Sequence, residues 1–270
     1  MAELAPVRRA RLARLVAARG FVRVSDVAEE LEVSEVTLRG DLSALEQQGL
    51  VVRVHGGAMP TSAIVAEESS IESSLGRDEA AKRAIGAAAA QLVSSGESVF
   101  VDAGSTALAL AVALVERREL HDVTLVTSGL STALVLEAGM PRFTVIVTGG
   151  TLRPLQHSLV NPFAAPMLEQ LHLDWAFIGC NGVDETGVTN VNIPEAEIKT
   201  IVMRRARRKV ILADASKLGR RELAVIAGPG DYDTLVTDAA APASVLDLLR
   251  AAGIGVLTSD NPARPGSMVS

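Results

Sequence analysis

The sequence predicts an α/β protein in two parts. A small winged helix-turn-helix occupies residues 1–58, and a larger, mostly parallel α/β domain occupies 80–270, with a linker at 59–79. Three observations predict this. Apolar residues make up 48% of the 270-residue chain and aromatics only 3%, so the core must be built from Ala, Val, Leu and Ile, as in doubly covered parallel sheets. From Ala80 onward short apolar runs alternate with Ala- and Leu-rich helical stretches, the order of a parallel sheet with helices on both faces. Ahead of them, Ser34 to Gly57 reads as a capped helix, a short strand and a glycine turn.

Arg8 to Arg19 forms the first helix, with Leu12, Leu15 and Val16 facing inward and Gly20 as its C′ residue. Arg8, Arg9, Arg11 and Arg14 are either a solvated face or a set of phosphate contacts. Phe21 to Val24 alternates like a strand that could pair with the wing. Ser25 caps a short second helix, Asp26 to Leu31, and Glu32-Val33 turns into the third. Ser34 caps that third helix, where Leu38, Leu42 and Leu45 make one apolar stripe. Its opposite side carries Val36, Gly40, Ser43 and Gln47, with Thr37 and Arg39 on the flanks. Gly49 ends it, Leu50 to Val54 is a strand, and His55-Gly56-Gly57 is a turn. A helix with a short polar outer face, followed by a basic-tipped ribbon, suits insertion into a DNA major groove with a wing on the backbone. The candidate DNA contacts are Ser34, Glu35, Val36, Thr37, Arg39, Gly40, Ser43, Arg53 and His55.

This stretch resembles the helix-turn-helix of the DeoR family of bacterial transcription regulators. The residues that carry the resemblance are Ser34, Thr37-Leu38-Arg39, Asp41-Leu42, Leu45-Glu46, Gly49-Leu50, Arg53 and His55-Gly56-Gly57. Gly40 departs from the family, which often has a basic residue there; in mid-helix it costs about 1 kcal/mol relative to Ala. Residues 1–58 hold eight arginines and eight acidic residues, and the remaining 18 basic and 24 acidic groups give the net charge of −6. A neutral module on an acidic body must bind phosphates through local charge, so its non-specific affinity for DNA should be modest.

Past the linker the expected elements follow in order. They are a helix from Lys82 to Leu92, a strand at Ser98–Val101, a helix to about Leu114, and a strand at Val123–Val126. Next come a helix at Leu130–Leu136, a strand at Phe143–Val147, a helix at Ala164–Leu171, and a strand at Ala176–Ile178. A longer helix from Glu195 to about Arg208 precedes a strand at Val210–Ala213. Short strands at Ala224–Ile226, Thr234–Val236 and Gly255–Leu257, and a helix from Ala243 to Arg250, complete the chain.

Ligands of open α/β sheets sit beyond the carboxyl ends of the strands. The polar residues collect there: Asp102 with Gly104-Ser105-Thr106, then Thr127-Ser128, Gly149-Gly150-Thr151 with Arg153, Asn181, and Asp214 with Lys217. Gly104-Ser105-Thr106 opens a helix whose first-turn amides can face an anion, and a compact phosphate fits best; the alternative is a hydroxyl-rich cap. Neither a Walker loop nor a dinucleotide fingerprint is present. The lone Cys180 excludes an internal disulfide and a multi-cysteine metal site, and reads as a small buried residue at a strand end. The basic run Arg204 to Lys209 falls in the last turns of a helix, as a solvated end or a second contact surface. His157 lies either at a pocket mouth or on a surface loop.

The region from Lys82 to Asp238 resembles the sensor domain of the same DeoR family. Lys82 and Ile85, Asp102 with Gly104-Ser105-Thr106, Gly149-Gly150 with Leu152-Arg153, Asp174 with Ala176 to Gly179, Gly187 and Thr189, Glu195 with Glu197 and Lys199, and Asp214 with Ser216-Lys217 carry it. The resemblance implies a fold similar to ribose-5-phosphate isomerase and a pocket for a phosphorylated sugar or related metabolite. Gly104, Ser105, Thr106 and Lys217 would hold the phosphate; Asp102, Thr127, Arg153, Asn181, Glu195, Lys199 and Asp214 would line the sugar end. Asn181, Ser128 and Asn161 depart from the family's usual Asp, Asn and Gly. The expected molecule is a regulator of a carbohydrate operon, binding double-stranded operator DNA as a homo-oligomer, dimer or tetramer. No catalytic residue, metal or cofactor is expected. Without a signal peptide or long apolar run it should be a soluble, cytoplasmic protein with no membrane partner. The competing readings are a sugar-phosphate isomerase with a DNA-binding appendage, using Glu195 or Glu197 as base, and a scaffold with an empty pocket.

Overall fold

The computed structural model describes residues 5–19, 22–31, 33–47, 50–54, 57–60 and 70–260. The chain divides into two units, Met1–Glu68 and Ser69–Ser270. Gly20, Phe21, Glu32, Gly49, His55 and Gly56, on which several expected helix ends and turns rest, lie outside the described residues, as does the Arg53 side chain.

The first unit contains α1 (Ala5–Arg19), β1 (Val22–Arg23), α2 (Val24–Glu30), α3 (Glu35–Gln47), β2 (Val51–Val54) and β3 (Gly57–Pro60). Its core holds the predicted Leu12 and Val16 from α1 and Leu38, Leu42 and Leu45 from α3, joined by Val27, Ala28 and Leu31 around α2, with the predicted Leu15 only partly buried against it. The three strands form one antiparallel ribbon in the order β1-β3-β2, so the segment before α2 does pair with the wing. Two expectations fail here. Ser25 caps nothing: β1 has only two paired residues, α2 begins at Val24 without a side-chain cap, and the Ser25 hydroxyl donates to Asp26. The linker is also shorter than predicted, because Gly57–Pro60 is the wing's second strand and Ile71–Leu75 is helical.

The second unit opens with α4 (Ile71–Leu75), capped by Ser70, and α5 (Glu79–Ala90). Then follow β4 (Ser98–Val101), α6 (Ser105–Glu116), β5 (Val123–Thr127), α7 (Leu130–Glu137) and β6 (Phe143–Val147). A hairpin, β7 (Thr151–Arg153) and β8 (Ser158–Val160), leads to α8 (Ala164–Leu168) and β9 (Leu173–Gly179). The rest is β10 (Gly182–Asp184), β11 (Gly187–Asn190), α9 (Ile193–Arg205), β12 (Ala206–Leu212), a 3₁₀ turn at Ala215–Lys217, β13 (Ala224–Ala227), β14 (Thr234–Thr237), α10 (Ala243–Ala251) and β15 (Gly255–Thr258).

Seven strands pair in parallel in the order β15-β14-β12-β9-β4-β5-β6. Alternation along each strand feeds two cores. Val99, Val101, Phe177, Val210 and Leu212 face the side covered by α5, α6 and α7. Phe100, Ala176, Ile178, Ile211 and Ala213 face the side that α9 and α10 help to cover. Strand β13, expected in the main sheet, belongs instead to a small antiparallel sheet, β10-β11-β13. The helix predicted to reach Arg208 stops at Arg205, because Ala206 already pairs with Leu173 of β9. The basic run therefore straddles a helix end and an internal strand. Arg208 lies 3.9 Å over the Trp175 ring and pairs with Glu97, while Arg205 donates to the Leu171 carbonyl. The helix expected to reach Leu171 ends at Leu168.

Candidate functional site

The strand order reverses between β4 and β9: the chain runs outward from β4 through β5 and β6, then from β9 through β12, β14 and β15. The crevice outside the carboxyl ends of that central pair is where an open α/β sheet binds ligands. It is formed by Asp102 to Thr106 after β4, by Cys180-Asn181 after β9, and by Asp214 to Lys217 after β12.

Asp102 is 2% exposed. Its Oδ1 accepts from the Ala103 amide at 2.8 Å and its Oδ2 from the Gly179 amide at 2.9 Å, stitching β4 to β9. The Lys199 ammonium lies 3.1 Å from the same Oδ2 and also donates to the Gly179 carbonyl and to Asn190 Oδ1. Burial pushes the Asp102 carboxyl above its ordinary value, against the pull of Lys199. Burial alone would lower the Lys199 ammonium, but Asp102 and Glu195 reverse that and hold it above its ordinary value. Glu195 sits in the first turn of α9, whose cap is Asn192, and accepts from Arg153, from the Ser158 hydroxyl and from Asn190 Nδ2. Burial would raise the Glu195 carboxyl, yet Lys199 and Arg153 outweigh it and hold it low. Arg153, Glu195, Lys199 and Asp102 thus form one buried chain of alternating charge from the hairpin to the sheet.

The cradle segment is different. Gly104 has φ +104, a conformation L side chains rarely adopt, and turns the chain into α6 with no side-chain cap on the first-turn amides. Lys217, half-buried, has no carboxylate partner among the described residues. Lys82 lines one cavity with Ser105; burial lowers its ammonium below the ordinary value, while Asp214 raises it and Lys217 lowers it further. Asp214 caps its own turn through the Ser216 amide at 3.0 Å. Burial pushes the Cys180 thiol up to about 12, although Lys199 and Lys217 pull it down, so it is a neutral, unreactive group in the middle of the site.

On the first unit, the Ser34 hydroxyl accepts from the Thr37 amide at 3.1 Å, the predicted cap. Glu35, Val36, Thr37, Arg39 and Gly40 are exposed, with Val36 at 77%, and Ser43 is half-buried. Arg39 is turned back onto Glu35 at 2.6 Å. Two of the arginines read as a solvated face or phosphate contacts take part in the fold. Arg8 and Arg9 donate through Nε to Asp41, which is 2% exposed, at 2.6 and 2.8 Å.

Residues 8–62 match the family model described as the DeoR-like helix-turn-helix domain, and residues 77–239 match the DeoR C terminal sensor domain. The chain belongs to the DeoR family of transcriptional regulators. It is 34% identical over 251 residues to the HTH-type transcriptional regulator GlpR of Haloferax volcanii, covering 93% of this chain and 96% of that one. It is 30% identical over 228 residues to the lactose phosphotransferase system repressor of Staphylococcus aureus, covering 84% and 89%. Among solved structures it is similar to ribose 5-phosphate isomerase A from Methanocaldococcus jannaschii, at 22% identity and a TM-score of 0.40, over 52% of this chain and 55% of that one.

In this DeoR-family chain the structure brings Asp102, Glu195, Lys199 and Arg153 together, with Gly104, Asn181 and Asp214 on the same rim. Thr127 is fully buried, its hydroxyl accepting from the Gly129 amide, and Asn181 Oδ1 accepts from the Val191 amide. Sequence reasoning missed Ser158, Asn190 and the whole β7–β8 hairpin. The hairpin had a signal: Thr151 to Arg153 and Ser158 to Val160 flank a four-residue loop that begins with Pro154. Among the described residues no helix is long and apolar enough to cross a membrane, and no acidic, His or Cys cluster could hold a metal.

Proposed function

We propose that this regulator represses a carbohydrate operon and that a phosphorylated sugar, bound at the β4/β9 crevice, controls it. One observation carries this reading. Among the described residues the helix N-terminus after Gly104 has no side-chain cap and Lys217 has no carboxylate partner; one follows β4 and the other β12 in the same parallel sheet, and together they supply the donor set a phosphate dianion requires. Gly104, Ser105, Thr106 and Lys217 take the phosphate. The rim of Asp102, Asn181, Asp214 and the Arg153–Glu195–Lys199 chain takes the sugar hydroxyls. The exposed face of α3 (Ser34, Glu35, Val36, Thr37, Arg39, Gly40 and Ser43) enters the major groove, with Arg53 and His55 of the wing on the backbone. Two half-sites need two modules, so the working form is a homo-oligomer.

The sensor does not turn its ligand over. The position that would supply a base is the amide Asn181, and Glu195 is held by Arg153, Ser158 and Asn190. Thermal-shift screening of sugar phosphates against their unphosphorylated parents tests the proposal. Stabilisation should require the phosphate and weaken about ten- to a hundredfold in affinity in Lys217→Ala, the 1.5–3 kcal/mol of a lost charged partner. Equal stabilisation by unphosphorylated sugars overturns it.

A further inference from the structure

The tip of the β7–β8 hairpin touches two places at once. On one side it covers the cradle: Gln156 Oε1 lies 4.0 Å from the position a Cβ on Gly104 would take. On the other it holds α4. The Leu155 carbonyl accepts from the Ile71 amide at 2.7 Å, and His157 Nε2 lies 3.4 Å from Glu72 Oε1. His157 has φ +50, in the left-handed region, with Nδ1 2.7 Å from the Ser131 hydroxyl. A non-glycine residue persists there when its surroundings over-determine it.

The other end of α4 is fastened beside the same site. Lys82 Nζ donates to the Ser74 carbonyl at 2.6 Å and to the Arg77 carbonyl at 2.5 Å. Leu75, Lys82 and Ser105 line one cavity of about 380 Å³. In sequence, α4 is the first described element after β3, the last strand of the DNA-binding unit. Helix α4 is thus held at one end by the hairpin tip and at the other by Lys82.

We propose that the hairpin tip is the transmission element of this regulator: Gln156 contacts the bound phosphate, and His157 with the Leu155 carbonyl passes that contact to α4. The inference rests on the phosphate reading of the cradle. A ligand shifts a conformational equilibrium only through contacts that differ between the two states. Gln156 supplies such a contact, because an anion on the Gly104 amides occupies the space it overhangs. His157, Glu72 and Ser131 then either keep or lose their present arrangement, and α4 follows.

The test is hydrogen exchange of the full chain with and without inorganic phosphate and ribose 5-phosphate, paired with operator titrations. Exchange should change at 104–107, at 154–157 and at 70–76, and ribose 5-phosphate should change operator affinity roughly 5- to 150-fold. In His157→Gly, which keeps the left-handed backbone but deletes the contacts to Glu72 and Ser131, the change at 104–107 and unliganded operator binding should remain. The change at 70–76 and the operator response should disappear. Protection at 104–107 of wild type without any change at 70–76, or a His157→Gly variant that responds as wild type, overturns the transmission role and leaves the cradle standing. No change at 104–107 with either phosphate compound overturns both.

Discussion

Replacing Lys199 by Met isolates the buried charge chain. The Lys199 side chain is 7% exposed and the Asp102 side chain 2%. The substitution removes the cation 3.1 Å from Asp102 Oδ2 and takes a donor from the Gly179 carbonyl and from Asn190 Oδ1. Breaking a buried pair by deleting one partner costs about 3–5 kcal/mol. For a domain of this size that is a fall in Tm of roughly 6–20 °C. The chain's single tryptophan, Trp175 on β9, is 6% exposed, so its fluorescence follows the unfolding of the sensor unit alone. Adding Asp102→Asn should recover part of the loss, giving a double variant more stable than the sum of the two singles. The pH dependence has a definite sign. The folded Lys199 ammonium is held above its ordinary value, so its contribution is fully present below the ordinary lysine range and is lost as pH rises through the raised value. Wild type should shed that stability at alkaline pH and Lys199→Met should not. A loss below about 1 kcal/mol, the scale of an exposed pair, would mean that Asp102 is already neutral in the folded protein and that no buried ion pair exists.

Asp41→Asn should destabilise the DNA-binding unit by about 3–5 kcal/mol, because it removes the buried carboxylate charge that both Arg8 and Arg9 engage; faster hydrogen exchange in α1 and α3 checks it. Burial would raise the Asp41 carboxyl, but the hydrogen bonds from Arg8 and Arg9 hold it low, so this stability is present above the ordinary carboxylate range and lost as pH falls through the depressed value. Arg39→Ala should weaken operator binding by about 1–3 kcal/mol. Glu35→Gln, which breaks an exposed i,i+4 pair worth about 0.3–0.5 kcal/mol but keeps a hydrogen-bonding side chain on the DNA-facing side, should cost operator affinity less than Arg39→Ala; salt-controlled titrations against operator and scrambled duplex separate the two. Gly40→Ala adds a Cβ into open space and should stabilise the module by about 1 kcal/mol. In Gly150→Ala the Cβ would lie 1.9 Å from the Val160 carbonyl oxygen at φ +138, and the hairpin should lose its register, seen as faster exchange at 151–160.

The main strands were legible because each is a short run of apolar residues ended by glycine or a polar turn, and a parallel sheet needs little more to be recognised. The boundaries that failed lack such punctuation. No Gly, Pro or Asn separates α9 from β12 in Met203 to Lys209; the helix stops there because Ala206 finds Leu173 on a neighbouring strand. Ala224–Ala227 carries the composition of a sheet strand, but its partner is β11, and only tertiary pairing chooses between the two sheets. Ser25 has the chemistry of a cap and sits two positions too late, because β1 ends at Arg23.

At the candidate site the sequence shows which groups reach the strand ends but not which of them are already satisfied by one another. Arg153 and Glu195 are 42 residues apart, and their pairing depends on a hairpin folding back over α9. The structure therefore divides the polar rim into two sets. Asp102, Lys199, Glu195 and Arg153 neutralise one another, so a ligand gains little charge attraction from them and must instead exchange hydrogen bonds with them. Lys217 has no carboxylate partner and the first turn of α6 no side-chain cap among the described residues, so an incoming anion meets donors that no described side chain already engages. Affinity should then reside in the second set and stability in the first. Substitutions in Lys217 should change ligand response at nearly constant Tm, whereas substitutions in Lys199 or Glu195 should move Tm first. A Lys217 variant that unfolds as readily as a Lys199 variant would place Lys217 inside the structural network and remove the cation on which the phosphate site depends.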